Sequence, residues 1–111
     1  QYKVLKQGKG ITPKPEDMVT VNYRGMFIDG TEFDSSYTKG EPMTVQTDGV
    51  IKGWTEALQM MTKGSKWQIF VPPQLAYGRG GLGTRIPPNK VLIFEIDLLE
   101  IKKGGNADTQ N

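Results

Sequence analysis

The chain has 111 residues, a formal net charge of +2, and no cysteine or histidine. Its length is that of one small domain with enough apolar residues for a core, and no apolar stretch reaches the roughly 18 residues that a membrane helix needs. The missing residue types exclude disulfides, thiol nucleophiles, Cys/His zinc sites and a Ser-His-Asp triad.

The N-terminal half predicts strands joined by turns. Residues 1–6 indicate a short strand. Residues 18–28 alternate apolar and polar side chains, which is typical of a strand with one buried face. The Asp29-Gly30 pair favours a tight hairpin turn, because such turns need residues that tolerate positive φ, and residues 31–35 form the return strand. We expect residues 36–41 to form a loop or bulge.

One helix is predicted, over residues 54–61, because its apolar residues recur at spacings of three and four. The Lys63-Gly64 pair would close it with a cation near the C-terminus and a glycine that tolerates the left-handed conformation. A weak strand over residues 43–46 precedes this helix, and an alternating strand over residues 66–71 follows it.

The C-terminal part predicts a long loop, a strand and a tail. Residues 74–90 are rich in glycine and proline, and residues 91–101 alternate as a strand with one buried face. Residues 102–111 lack apolar periodicity and are expected to be a disordered tail. The prediction is an α+β domain of residues 1–101, with about five antiparallel strands curved around one short helix.

The N-terminal segment carries a cluster of positive charge from Lys3, Lys6, Lys9 and Lys14. A solvated edge strand explains these lysines, as does a partner-binding patch, and the interleaved acids of the remaining chain favour the first explanation. The chain starts at Gln1 without a signal-like segment, so we expect a processed product or an excised domain.

A glycine-rich string at residues 78–83 formally matches the pattern G-x-G-x-x-G. A dinucleotide site would need a strand before this string and a helix directly after it. Pro87 and Pro88 follow instead and forbid a helix interior. We therefore predict no nucleotide site and expect the glycines to let a long loop bend.

Asp34 is the acidic residue with the most informative surroundings. It follows the hairpin directly after Phe33, and partial burial would require a charged or hydroxyl partner, for which Tyr23, Tyr77 and Arg24 are candidates. A second strand acid, Asp97, is expected on a solvated face. Neither has a neighbour in sequence that would indicate a hydrolase dyad.

Aromatic residues come from five separate predicted elements: Tyr23, Phe33, Trp54, Tyr77 and Phe94. Core packing explains any one of them. However, Trp54 opens the helix and can form a floor, while Tyr77 and Ile86 lie on a loop expected at the surface. An apolar concavity with few polar groups is the usual form of a binding site, so the residues leave a hydrophobic pocket open beside ordinary core packing.

Five motifs then occur in order along the chain: VNYRGM at 21–26, DGTEFDSS at 29–36, VIKGW at 50–54, AYG at 76–78 and IPPN at 86–89. They resemble the FKBP-type peptidyl-prolyl cis-trans isomerases over about nine-tenths of the chain. The helix and the segment after Asp34 are most similar to the bacterial macrophage-infectivity-potentiator and periplasmic branch. The resemblance implies an FKBP-like fold, a five-stranded antiparallel half-barrel sheet wrapped around one short helix.

The resemblance also implies a substrate and inhibitor pocket lined by Tyr23, Phe33, Asp34, Met43, Val50, Ile51, Trp54, Tyr77, Ile86 and Phe94. Four of these are implied to act in catalysis: Tyr23, Asp34, Tyr77 and Phe94. Trp54 would lie beneath the proline ring, and the Ile51 N–H and the Tyr77 hydroxyl would bond carbonyl oxygens of the ligand. Asp34 would be a buried acid. The chain departs from the family at Met43, where many relatives have an aromatic residue, and at Leu82, where some have a histidine.

The implied activity is rotation about X–Pro bonds of unfolded or flexible proteins, which assists their folding. Such rotation faces a barrier of roughly 20 kcal/mol but needs no covalent step, no cofactor and no metal. A water-poor apolar pocket favours the twisted amide, which suits a chain without histidine. The implied partners are proline-containing polypeptides and inhibitors of the tacrolimus and rapamycin type.

Two other functions stay open from the sequence. A binding module or holdase with incidental turnover fits the lack of an ionisable catalyst. A nucleic-acid surface from Lys3 to Lys14 fits less well, and we predict no nucleic-acid partner. The resemblance favours a periplasmic or cell-surface location in a Gram-negative bacterium, with a cytoplasmic one open, and a full-length homodimer through an N-terminal region that we expect to be absent here.

Overall fold

The computed structural model describes residues 1–78, 80–81 and 86–103. Within them lie six strands, β1 (Tyr2–Lys6), β2 (Met18–Phe27), β3 (Glu32–Ser35), β4 (Met43–Gln46), β5 (Lys66–Val71) and β6 (Leu92–Lys102). Two short helices join them, α1 (Ser36–Lys39) and α2 (Lys52–Leu58), and a 3-10 turn covers Pro73–Leu75.

The described strands form one antiparallel sheet in the order β1-β5-β6-β2-β3. Strand β2 pairs with β6 along its whole length, so β3 and β4 share the other edge of β2. Strand β4 lies opposite Met18–Val21, and β3 lies opposite Arg24–Met26. Six strands thus occupy five positions, which confirms the predicted α+β fold of antiparallel strands with a short helix.

The core lies between the inner face of the sheet and α2. The alternating residues predicted for β2, β5 and β6 are buried, as are the apolar residues of the helix. Gly53 allows the close approach of α2 to β5, because a Cβ atom there would lie 2.6 Å from Cγ1 of Val71. This contact fixes where the N-terminus of α2, and with it Trp54, sits over the sheet.

Residues 36–39 form a helical turn, so the prediction of a loop or bulge there is wrong. The Ser35 side chain accepts hydrogen bonds from the backbone N–H groups of Tyr37 and Thr38, which caps the turn. Gly40 ends it with a φ of 86°. A single turn has no apolar periodicity, and its capping residues were therefore the only sequence signal for it.

The predicted helix is also shifted along the chain. It begins at Lys52 rather than Trp54 and ends at Leu58 rather than Met61, although Met61 is fully buried just beyond it. The Lys63-Gly64 pair does not close α2. It lies in the turn before β5, where the Gly64 N–H donates to the Leu98 carbonyl at 2.8 Å. The apolar stripe continues beyond the end of α2, because a side chain is buried when it points toward the core, whether or not its backbone is helical.

The C-terminal predictions are only partly within the described residues. Most of the predicted loop 74–90 is irregular, but it opens with the 3-10 turn, and Ile86 forms an isolated bridge. Residues 82–85, including Leu82, lie outside the description, as does the predicted tail from residue 104 onward. Strand β6 extends one position into that predicted tail, to Lys102. No described helix has the length and apolar character to cross a membrane.

Candidate functional site

A concavity of about 500 Å³ opens where the inner face of the sheet meets the N-terminus of α2. The residues around it are mostly apolar or aromatic and come from β2, β3, β4, α2, β6 and two connecting segments: Tyr23, Phe33, Asp34, Met43, Val45, Gly49, Val50, Ile51, Trp54, Tyr77 and Phe94. A largely preformed apolar recess with a few polar groups is the usual form of a small-ligand site.

The base of the concavity is a set of aromatic rings at right angles to each other. Trp54, only 4% exposed, meets the Tyr23 ring at 5.4 Å and 76° and the Phe94 ring at 5.3 Å and 85°. Phe94 in turn meets Phe33 at 5.7 Å and 84°. Edge-to-face contacts of this kind add to the packing energy and restrict each ring, so the base is a fixed surface.

Gly25 makes this ring packing possible, and the sequence analysis missed it. A Cβ atom on Gly25 would lie 2.7 Å from Cζ of Phe33 and 3.0 Å from Cε1 of Phe94. The two rings therefore close over the backbone of β2 at a position where no side chain fits. The available signal in the sequence was a glycine at a position of β2 where the alternation places a buried side chain.

We expect Gly25→Ala to displace both rings and lower the free energy of unfolding by about 1–3 kcal/mol, as overpacking does elsewhere. Urea unfolding measures this change. The matched control is Gly80→Ala, because a Cβ atom on Gly80 meets no heavy atom of the described residues within 4 Å. Equal stability of the two variants would contradict the role of Gly25.

One corner of the concavity is polar. The Tyr23 hydroxyl donates to Oδ2 of Asp34 at 3.0 Å, and Nζ of Lys39 donates to the Tyr23 hydroxyl oxygen at 3.1 Å. The same Nζ lies 3.2 Å from Oδ1 of Asp34. The Asp34 side chain is 23% exposed, which agrees with the partial burial considered from its sequence neighbours but not with the buried acid that the resemblance implies.

These contacts determine the charge of the corner. Burial alone would raise the pKa of Asp34, but the hydrogen bonds from Tyr23 and Lys39 and the Lys39 charge outweigh it, so the pKa lies below its ordinary value. Bonding to Tyr23 and Asp34 raises the pKa of Lys39, and burial raises the pKa of Tyr23. Near neutral pH the corner therefore holds a carboxylate, an ammonium and a neutral phenol.

The loss of thermal stability at acid pH is expected to depend on the titration of the Asp34 carboxylate. Because the folded-state pKa of Asp34 is depressed below an unfolded value of about 3.9, its contribution is complete above that pH and is lost as pH falls through the folded-state pKa. We expect Asp34→Asn to flatten the fall in melting temperature between about pH 5 and pH 2, followed by circular dichroism. Asp29→Asn is the comparison, since hydrogen bonding by Thr31 also lowers the pKa of Asp29, at the distant hairpin. An unchanged loss of thermal stability at acid pH in Asp34→Asn would refute the assignment.

Most of the predicted lining residues meet in this concavity, with one exception. Ile86 is 2% exposed and is not among the residues that line it. Its side chain packs in the core, and no periodicity within a loop could have indicated that direction. Val45 of β4 and Gly49 of the segment between β4 and α2 also line the recess, although neither was predicted.

The predicted partners of Asp34 are also only partly correct. Tyr23 bonds it, whereas Arg24 pairs with Glu32 at 3.0 Å and approaches Glu95 at 3.9 Å. Lys39 was missed, because only the helical turn α1 brings it back over β3. A cation shortly after an acid was the available signal, and it is weak without that turn.

Ile51 holds the position where the chain enters α2. Its carbonyl accepts hydrogen bonds from the backbone N–H groups of Trp54 and Thr55, which starts the helix. No described residue accepts a hydrogen bond from the Ile51 N–H, which lies at the rim of the concavity. The described residues contain no cluster of three or more side chains that could hold a metal ion.

Comparison with known proteins gives one consistent family. Residues 9–99 match the family described as FKBP-type peptidyl-prolyl cis-trans isomerase. The chain is 50% identical over 109 residues to the FKBP-type peptidyl-prolyl cis-trans isomerase FkpA of Escherichia coli, covering 98% of this chain and 40% of that protein. It is 54% identical over 103 residues to the peptidyl-prolyl cis-trans isomerase Mip of Coxiella burnetii, covering 93% and 45%. The chain thus spans less than half the length of these curated relatives.

Solved structures agree with this finding. The crystal structure of FkpA from Escherichia coli is similar with a TM-score of 0.90 and 51% identity, covering 94% of this chain and 48% of that one. The crystal structure of AtFKBP13 is similar with a TM-score of 0.85 and 32% identity, covering 89% and 90%.

Proposed function

The chain belongs to the FKBP-type peptidyl-prolyl cis-trans isomerase family, and on that premise we propose that its concavity catalyses rotation about X–Pro bonds of unfolded or flexible polypeptides, which assists their folding. The observation that carries the proposal is the recess over Trp54, with fixed aromatic walls and room for a proline ring and its neighbours. The activity requires no covalent or proton-transferring catalyst, which agrees with a chain that has no histidine and no cysteine.

The proposed mechanism is differential binding of the twisted amide. A planar amide is stabilised by charge separation between its oxygen and its nitrogen, and rotation past a barrier of roughly 20 kcal/mol removes that separation. An apolar recess solvates the planar form less well than water does, while it holds the less polar twisted form equally well. The walls formed by Tyr23, Phe33, Trp54 and Phe94 support this mechanism.

We assign hydrogen bonding of the ligand to two groups at the rim. The N–H of Ile51 and the hydroxyl of Tyr77 would donate to carbonyl oxygens on either side of the proline ring. A hydrogen bond that is stronger in the twisted state contributes about 1 kcal/mol, or about fivefold in rate. Such bonds would hold the flanking peptide while the X–Pro bond turns.

The polar corner has a different proposed role. The Tyr23 hydroxyl already donates to Asp34 and accepts from Lys39, so it is held in place by partners of its own. The Asp34 carboxylate would face the amide carbonyl. A negative charge there disfavours the planar form, whose oxygen carries partial negative charge, more than it disfavours the twisted form. Asp34 would thus lower the barrier without any proton transfer.

We also propose that macrolides of the tacrolimus and rapamycin type occupy the same recess and compete with substrate. Met43 replaces an aromatic wall of many relatives with a flexible side chain, which adapts to a bulky ligand but restricts it less. The full-length homodimer and the periplasmic or cell-surface location stay predictions from the resemblance.

The direct test is a protease-coupled assay of cis-trans isomerisation on short X-Pro-Phe peptides with the intact chain. We expect acceleration well above the uncatalysed rate, and inhibition of that acceleration by tacrolimus. A rate equal to the background at high protein concentration would overturn the proposed activity. Acceleration that tacrolimus leaves unchanged would overturn only the proposal on macrolides.

A further inference from the structure

Strand β1 is exposed to an unusual degree for a strand with several apolar residues. It lies at one edge of the sheet, and all its residues are exposed. Tyr2, Val4 and Leu5 are 53%, 41% and 43% exposed. An edge of this kind presents unpaired main-chain groups next to apolar side chains, which is a template for pairing with another extended chain.

The register shows which main-chain groups point outward. The Gln1 carbonyl accepts from the Phe70 N–H at 2.9 Å, so Gln1 directs its backbone groups toward β5. In an antiparallel pair this direction alternates along the strand, and Tyr2 and Val4 therefore direct their N–H and C=O groups to the outer edge. Tyr2 lies across from Ile69, and Val4 lies across from Trp67. Both are non-hydrogen-bonded pairs of the antiparallel ladder between β1 and β5.

A shallow apolar groove of about 160 Å³ runs between this strand and α2. Tyr2, Ala57, Met60 and Ile69 line it, and the Met60 side chain is 50% exposed. The Tyr2 ring stacks on the Trp67 ring at 4.2 Å, so the strand side of the groove is held in place. The groove also contains Glu56, which makes it unsuited to an acidic side chain.

The opposite side of the edge is basic. Lys3, Lys6 and Lys9 form no ion pair with any described residue, and Lys6 lies across from Lys66 in the register. A second copy of β1 would bring lysines against lysines, so the charge disfavours pairing between copies of this chain. The same charge favours a partner with acidic side chains.

We propose that the β1 edge binds an extended polypeptide segment in which apolar and acidic residues alternate. The segment adds to the sheet as a further strand through the outward groups of Tyr2 and Val4. Its apolar side chains enter the groove beside Met60, and its acidic side chains face Lys3 and Lys6. This site needs no proline and does not use the recess over Trp54, so it goes beyond the proposed isomerase activity.

The test uses a fluorescein-labelled, proline-free peptide of alternating glutamate and valine, with alternating lysine and valine as its charge control. We expect anisotropy to show binding of the glutamate peptide at least tenfold tighter than the lysine peptide, weakening as salt rises. In NMR spectra of the labelled 111-residue chain, the amides of Tyr2 and Val4 should shift the most. Equal binding of both peptides, or shifts confined to the recess over Trp54, would overturn the proposal.

Further variants separate the contribution of the backbone groups from that of the lysine charges. Val4→Pro removes an outward N–H without removing a hydrogen bond to β5, and we expect it to bind the glutamate peptide at least fivefold more weakly. Val4→Thr retains the N–H and should bind the peptide within twofold of the native chain. Lys3→Glu combined with Lys6→Glu should reverse the preference between the peptides, which also decides the matter if Val4→Pro does not fold. Trp54→Leu should bind the peptide as the native chain does, so the proposed β1 site can hold even if the proposed isomerase activity does not. Unchanged binding by the folded Val4→Pro chain, or an unreversed preference, would refute it.

Discussion

Trp54→Leu is expected to lower kcat/KM for isomerisation at least tenfold, which corresponds to about 1.4 kcal/mol of transition-state stabilisation. The reason is the loss of the flat base on which we propose that the proline ring rests, which also orients Tyr23 and Phe94 through edge contacts. The same change is expected to weaken tacrolimus binding by a similar factor. A protease-coupled assay and ligand titration measure the two effects.

Trp67→Leu is the matched control for this experiment. Both tryptophans are buried, at 4% and 5% exposure, and neither indole N–H has a hydrogen-bond partner among the described residues. Replacement of either one is expected to cost roughly 2–3 kcal/mol of folding free energy, somewhat less than a change to alanine. Only Trp54 lines the recess, so only its replacement should lower kcat/KM beyond the fraction of unfolded chain. Equal kinetic losses in both variants would contradict the proposed place of the proline ring.

Asp34→Ala is expected to lower kcat/KM about tenfold with a smaller effect on KM. The change removes the negative charge that we propose to disfavour the planar amide, and it leaves Lys39 next to the Tyr23 hydroxyl without its counter-ion. Steady-state kinetics at several substrate concentrations separate kcat from KM. A loss confined to KM would show that Asp34 only binds substrate.

Two companion variants make the Asp34 result specific. Asp34→Asn keeps the size of the side chain and removes its charge, so a loss equal to that of Asp34→Ala assigns the effect to the charge. Asp97→Ala removes an acid from the outer face of the sheet, across from Lys66, and should leave the kinetics unchanged. Full activity in Asp34→Asn would refute the electrostatic role.

The strands could be predicted because alternation is local in sequence, and the aromatic set could be listed although nothing local showed that its members meet. Alternation marks which residues of β2, β5 and β6 are buried, since a strand presents successive side chains to opposite faces. The capped turn α1 and the true start of α2 could not be predicted from periodicity, since each depends on one or two backbone groups. The motifs shared with the family supplied the lining residues, but they did not show that Ile86 turns into the core.

The polar corner shows the limit of sequence reasoning most clearly. Asp34 was expected to need a partner because burying a carboxylate without one is costly, and Tyr23 was correctly among the candidates. The choice of Lys39 over Arg24 depends on which side chains reach over β3, and that depends on the fold of α1. Gly25 likewise becomes necessary only where two distant rings meet over it.

The sequence by itself determined that this is one small α+β domain of antiparallel strands, that it cannot use histidine or cysteine chemistry, and that its motifs are those of a prolyl isomerase family. Composition and side-chain period are local properties, so they are readable without a fold. Only the tertiary structure decided how the lining residues meet in the recess, which cation holds Asp34, and how far the side chains of β1 are exposed at the sheet edge. Those facts depend on contacts between segments far apart in the chain, and the direction and distance of such contacts are set by packing.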